Sequence, residues 1–213
     1  TIKSRMDWER RPTWNVWGRV PGIDPVLKDE SIIVEAYYDG ISVVPSLAPS
    51  AETACSIVGL LELARHLRRH PPARTVILLA TAAHFQDQLG MVDFLDRHAR
   101  KSPYTAKRME MPQDPDLFIS LDLSSQTDRV GIWNNTSSYD LKRFFVPFGR
   151  RFTAYAEEFS STPQGKLNTP ALANGISPIK GMDWSTFVPG GVSVNSVRAL
   201  RAGIVSLAFV SIN

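Results

Sequence analysis

Ser31-Ile32-Ile33-Val34-Glu35-Ala36-Tyr37 is a compact apolar run rich in β-branched residues, and it reads as a strand. Thr75-Val76-Ile77-Leu78-Leu79-Ala80-Thr81 reads as a second strand, continuous enough in apolar character to be buried on both faces, as strands of parallel sheets are. Between them Ile57, Leu60, Leu61, Ala64 and Leu67 recur at three- and four-residue spacing. That period predicts a helix with one buried face, capped by Ser50 or Thr53 and stopped by Pro71-Pro72. Strand, helix and strand in this order form a crossover unit, which places the chain in the α/β class.

Upstream, Trp14 to Val20 alternates like a strand and Pro21-Gly22 turns it. Residues 1–14 read as a polar lead-in and 15–213 as one domain. Downstream, a helix is expected from Gln88 to Arg100, with Leu89, Val92, Phe94 and Leu95 as its apolar residues. His66, His70 and His98 are read as solvated. Asp116 to Leu123 and Val130 to Trp133 are read as strands, and Asn134 to Ser138 as a polar turn. Leu141 to Phe159 is read as a helix with Phe144, Phe145, Phe148, Phe152 and Tyr155 inward. Ser160 to Phe187 is read as loop and Gly203 to Val210 as the last strand. The expected architecture is a three-layer α/β/α domain with a mostly parallel central sheet.

Composition excludes several classes. The 213 residues carry 24 Lys and Arg against 21 Asp and Glu, a net charge of only +3, which is no nucleic-acid signature. The basic clusters Arg65 to His70 and Gly149 to Arg151 lack interleaved aromatics and read as solvated faces. Cys55 is the sole cysteine, so neither an intrachain disulfide nor a cysteine-rich zinc site is possible; it is read as a buried structural thiol. No run approaches the ~20 apolar residues of a membrane span. The opening at Thr1 and the final core-like run Ala208 to Asn213 read as the ends of a piece of a longer protein. Ser56 and Ser185 sit in no nucleophile elbow, and neither a phosphate loop nor a dinucleotide fingerprint occurs.

In an open α/β sheet the working groups gather at the carboxyl ends of strands. The residues to inspect are therefore Tyr37-Tyr38-Asp39, Thr81 to Asp87, Asp122 and Ser193 to Ser196. Around them, four segments fall in a telling order: Asn15 to Gly22, Ile33 to Asp39, Gly59 to Arg65, and Arg74 to Ala80. Their order and spacing resemble the zinc-dependent aminopeptidases, a di-zinc exopeptidase family whose relatives include glutaminyl cyclases, the transferrin receptor ectodomain and nicastrin. The likeness runs from Asn15 to the C-terminus.

The resemblance implies paired zinc ions that activate a bridging water, with a neighbouring glutamate as base. Tyr37 falls on the histidine of the family's His-x-Asp motif, and Asp39 on the aspartate that orients it. Glu52 falls on the bridging aspartate, and His84 and Phe85 on the paired glutamates, base then ligand. Asp122 keeps an aspartate ligand, while Ser196 lies near the slot of the final histidine. A phenol, a hydrocarbon ring and a hydroxyl are poor zinc donors. The expectation is a degenerate site with no catalytic residue, no metal and no cofactor, in which Asp39 turns its loop, Glu52 complements a helix dipole and Asp122 orders a loop.

By analogy with non-catalytic relatives, the chain is expected to be a structural or protein-binding module with a protein partner or neighbouring domains. It would belong to a larger, membrane-associated, extracytoplasmic protein or complex, attached through segments beyond this sequence. The alternative is a metal-dependent aminopeptidase or hydrolase with a rebuilt site, zinc being held by Glu52, His84 and Asp122 or His84 acting as base. A third reading is a small-ligand or peptide binder that uses the old substrate cleft without chemistry.

Overall fold

A computed structural model of the chain describes residues 9–42, 44, 50–98, 115–125, 129–133, 171–174 and 194–212, most of 151–162, and positions 3, 5 and 7. The elements in chain order are β1 (Val16–Val20), β2 (Ser31–Tyr37), α1 (Ser50–Arg69), β3 (Thr75–Thr81), α2 (Leu89–His98), β4 (Pro115–Asp122), β5 (Arg129–Trp133), β6 (Ala171–Asn174), α3 (Asn195–Arg201) and β7 (Ser206–Ile212).

Among the described residues, seven strands form one sheet in the order β1-β3-β2-β4-β7-β5-β6. The centre is parallel, with β3, β2, β4 and β7 running the same way. β1 lies antiparallel on β3, and β5 antiparallel on β7. The four central strands are the apolar, β-branched runs, as burial on both faces demands.

Alternation along each strand divides the core in two. Ile33, Ile77, Leu79 and Phe118 face Met91, Phe94 and Leu95 of α2 and Ala199 of α3. Val34, Ala36 and Val76 face Leu60 of α1, with Ile57, Leu63 and Leu67 packed around it. Helices therefore cover both faces, and the three-layer α/β/α expectation is met. The turn after β1 depends on Gly22, where a Cβ would come within 2.4 Å of the Ala73 carbonyl oxygen.

Several assignments are corrected. Leu61 is exposed, and Leu63 takes its place on the α1 core face. On α2, Met91 is fully buried and Leu89 is exposed. His98 is buried rather than solvated, its ring tilted against Phe94 at 4.8 Å. Cys55 is only partly buried. Residues 151–162 include helical turns, yet Tyr155 is exposed instead of inward. β6 interrupts the stretch read as loop, and α3 stands where no helix was expected. Asn134 to Ser138, the helix residues Phe144, Phe145 and Phe148, and Ser185 lie outside the described residues.

Candidate functional site

One face of the sheet changes character along its length. On the side covered by α2 and α3, β2 presents Ile33, Glu35 and Tyr37 in turn, and β4 presents Phe118, Ser120 and Asp122. Apolar side chains near the amino ends give way to polar and ionisable ones near the carboxyl ends.

Glu35 sits at the centre of this transition, fully buried. Its carboxylate accepts hydrogen bonds from Thr81 Oγ1 at 2.5 Å, Ser120 Oγ at 2.7 Å and Asn195 Nδ2 at 2.7 Å. Three neutral donors satisfy the group without a compensating positive charge. Burial therefore dominates and pushes its pKa from 4.5 up to about 7, against the downward pull of these bonds.

Toward the strand ends, the Tyr37 hydroxyl donates to Asp122 Oδ1 at 3.0 Å. Burial raises the pKa of both partners. The His84 ring stacks on the Tyr37 ring with centroids 3.9 Å apart and planes 16° from parallel. Phe85 meets both rings edge-on, at 5.7 Å from Tyr37 and 5.0 Å from His84. Burial pushes the His84 imidazole below its usual pKa, opposed by the Asp122 and Asp39 charges. The ring is therefore neutral near neutral pH.

The loop between β3 and α2 is held in an unusual shape. Ala83, Asp87 and Gln88 have φ of 53°, 55° and 59°, a region that non-glycine residues enter at a cost. External ties fix it. Asp39 Oδ2 accepts the backbone N–H of His84 at 2.9 Å. Asn15 receives the N–H of Ala82 and donates to the Gly90 carbonyl. From α3, Arg198 donates to Gln88 Oε1 at 2.8 Å and pairs with the Asp87 carboxylate.

The structure thus brings together Tyr37, Asp39, His84, Phe85 and Asp122, five of the residues singled out in the sequence. The backbone of Glu52 lies in the first turn of α1, and its side chain is outside the described residues. Ser196 is buried, and its carbonyl accepts a hydrogen bond from Ser206 Oγ at 2.7 Å. Its neighbour Asn195 is the residue that reaches Glu35. Among the described residues, no group of three or more His, Cys, Asp and Glu is arranged to hold a metal ion. Asp39 Oδ1, His84 Nδ1 and Asn195 Oδ1 are buried without a hydrogen-bond partner, and all three belong to this site. Sequence reading missed Glu35, although a carboxylate inside an otherwise apolar buried strand was a usable signal.

Comparison with solved structures decides the fold. The chain superposes on a zinc aminopeptidase from Bacillus subtilis with a TM-score of 0.55, at 19% identity over 92% of this chain and 39% of that one. The fold is zinc-exopeptidase-like. An aminopeptidase from Aneurinibacillus sp. strain AM-1 gives a TM-score of 0.56 at 12% identity, covering 92% of this chain and 39% of that one. Glutaminyl cyclase from Bacteroides thetaiotaomicron gives 0.52 at 14% identity, covering 91% and 62%. At these identities the likeness is one of fold, and this zinc-exopeptidase-like chain spans about two fifths of the length of the two aminopeptidases. No family model and no curated protein matches the sequence.

Proposed function

We propose that this chain is a catalytically inactive, peptidase-like domain that serves as a structural or protein-binding module. We further propose that it works within a larger, membrane-associated, extracytoplasmic assembly. One observation carries the reading: Tyr37 and Asp122 are bonded to each other, with the His84 ring stacked on the phenol.

The described residues do not fit a di-zinc centre. The Tyr37 hydroxyl is spent on Asp122, and burial holds it protonated. Phe85 offers no donor atom, and its ring packs edge-on against those of Tyr37 and His84. What remains is a set of three hydrogen bonds to the Glu35 carboxyl and a small aromatic cluster, arrangements that fix how the strand ends and α3 pack together. Placement on a module is an inference from fold and site chemistry together, since fold alone does not set function.

The test is metal uptake with activity. After exhaustive dialysis, the chain is expected to hold no stoichiometric zinc and to leave aminoacyl and peptide substrates intact. Tyr37→His combined with Phe85→Glu is expected to raise zinc affinity by restoring two donors. Stoichiometric zinc in the unaltered chain, with hydrolysis abolished by Asp122→Ala, would establish the competing reading.

That competing reading is a rebuilt hydrolase site, and one feature favours it. His84 Nδ1 and Asp39 Oδ1 are buried without partners, as donors awaiting an ion would be. Zinc would then sit among His84, Asp122 and Glu52.

A further inference from the structure

We propose that β1 is a self-association edge: two copies of this chain pair their β1 strands antiparallel about a twofold axis at Gly18, joining two seven-stranded sheets into one. β1 ends the strand order and is bonded to β3 in unbroken register from Val16↔Ala80 to Val20↔Val76. Among the described residues, nothing pairs with its outer edge. An antiparallel strand sends alternate N–H and C=O groups to either side, so that edge is a template for another strand. Folded proteins usually blunt such edges with charged side chains, an internal proline or a bulge. Val16–Val20 has no proline and no bulge, and its single charge, Arg19, is one that a facing tryptophan can accommodate. Val16 is instead 62% exposed and Trp17 43%, with Trp14 just ahead at 68%.

The sequence of the strand fits itself. Pairing about Gly18 sets Val16 opposite Val20 of the second copy and Trp17 opposite Arg19 of the second copy. Residues 17 and 19 share the α2 side of the sheet, so guanidinium and indole meet on one face in a cation–π contact. The valine pairs meet on the other face. A Cβ added at Gly18 would find nothing within 4 Å, so its own chain leaves room at the axis. Pro21 has no N–H to offer and ends the ladder after Val20. An axis at Arg19 would oppose two guanidinium groups, and an axis at Trp17 would forfeit the Trp–Arg match. These complementarities single out a second copy over an unrelated strand. The proposal stands apart from the reading of the site, since a paired β1 suits an active or an inactive centre equally.

Cysteine cross-linking tests it, with Cys55→Ala as background so that only introduced thiols react. Directly opposed residues in an antiparallel pair lie about 4.5–5.5 Å apart at Cα, within reach of a disulfide. Gly18→Cys is therefore expected to give a disulfide-linked dimer on mild oxidation. Val16→Cys alone should not, whereas Val16→Cys mixed with Val20→Cys should. Sedimentation of the unaltered chain is expected to show mass rising toward twice that of one chain with concentration, and Val16→Lys or Arg19→Asp to abolish the rise. Circular dichroism of each variant establishes that it is folded. A chain that stays monomeric throughout, with folded Gly18→Cys uncross-linked, overturns the proposal. So does a dimer that Val16→Cys links to itself, or an edge that takes only strands from other proteins.

Discussion

Glu35 is a buried carboxyl whose titration should be readable in the stability of the fold. A free glutamate titrates near 4.5, while this one titrates near 7 because it is sealed beneath α3 with only neutral donors. The folded chain therefore keeps a proton that the unfolded chain has already released between those two values. Stability must fall as pH rises across that window, and the penalty is complete above about pH 7, at roughly 3 kcal/mol. Glu35→Gln can keep all three contacts, because the Ser120 hydroxyl can turn from donor to acceptor. Urea unfolding of the variant is expected to lack this slope and to show a gain of up to about 3 kcal/mol near pH 8. His84 acts in the opposite sense: its lowered pKa costs stability as pH falls below the ordinary histidine range. Comparing Glu35→Gln with the unaltered chain isolates the glutamate from the histidine. Equal slopes in the two proteins would show that Glu35 is ionised in the fold.

Among elements, the loop from β3 to α2 is the one whose shape had to be imposed. Three residues with positive φ persist there because Asn15, Asp39 and Arg198 hold it from three directions. Gly90, in the first turn of α2, permits the closest approach. A Cβ there would lie 2.1 Å from the Ala82 carbonyl oxygen and 2.7 Å from Asn15 Oδ1. Gly90→Ala is expected to cost about 2–4 kcal/mol, despite alanine's better helix propensity of about 1 kcal/mol, since backbone must move to admit the methyl. Thermal unfolding measures it, and an unchanged Tm would mean that the loop does not close on α2 as described. Elements differed in how far they could be read. β2 and β3 were legible to the residue because burial on both faces leaves an unbroken apolar run. β6, with four residues, and α3, with seven, are too short for periodicity to declare them. The Leu61 and Leu63 exchange arose because spacing alone fits more than one face of α1.

For the whole molecule, the question is whether stability depends on a bound ion. A metal present at a hundred times its Kd would add about 2.7 kcal/mol, worth roughly 5–10 °C in Tm for a chain of this size. On the reading proposed above, a chelator leaves Tm where it was and added zinc does not raise it. A fall of that size on chelation would favour the rebuilt site.

The amino-acid order by itself determined the layered α/β architecture, its parallel centre, and the gathering of Tyr37, Asp39, His84, Phe85 and Asp122 at one end of the sheet. Those features follow from local period and from strand polarity, both written within short windows. Only the tertiary structure decided that Tyr37 spends its hydroxyl on Asp122, that His98 is buried, and that Glu35 is sealed within a neutral network. The partners of Glu35 lie 46, 85 and 160 positions away along the chain. Contacts at such separations are fixed by how elements pack against one another, and no local pattern encodes them.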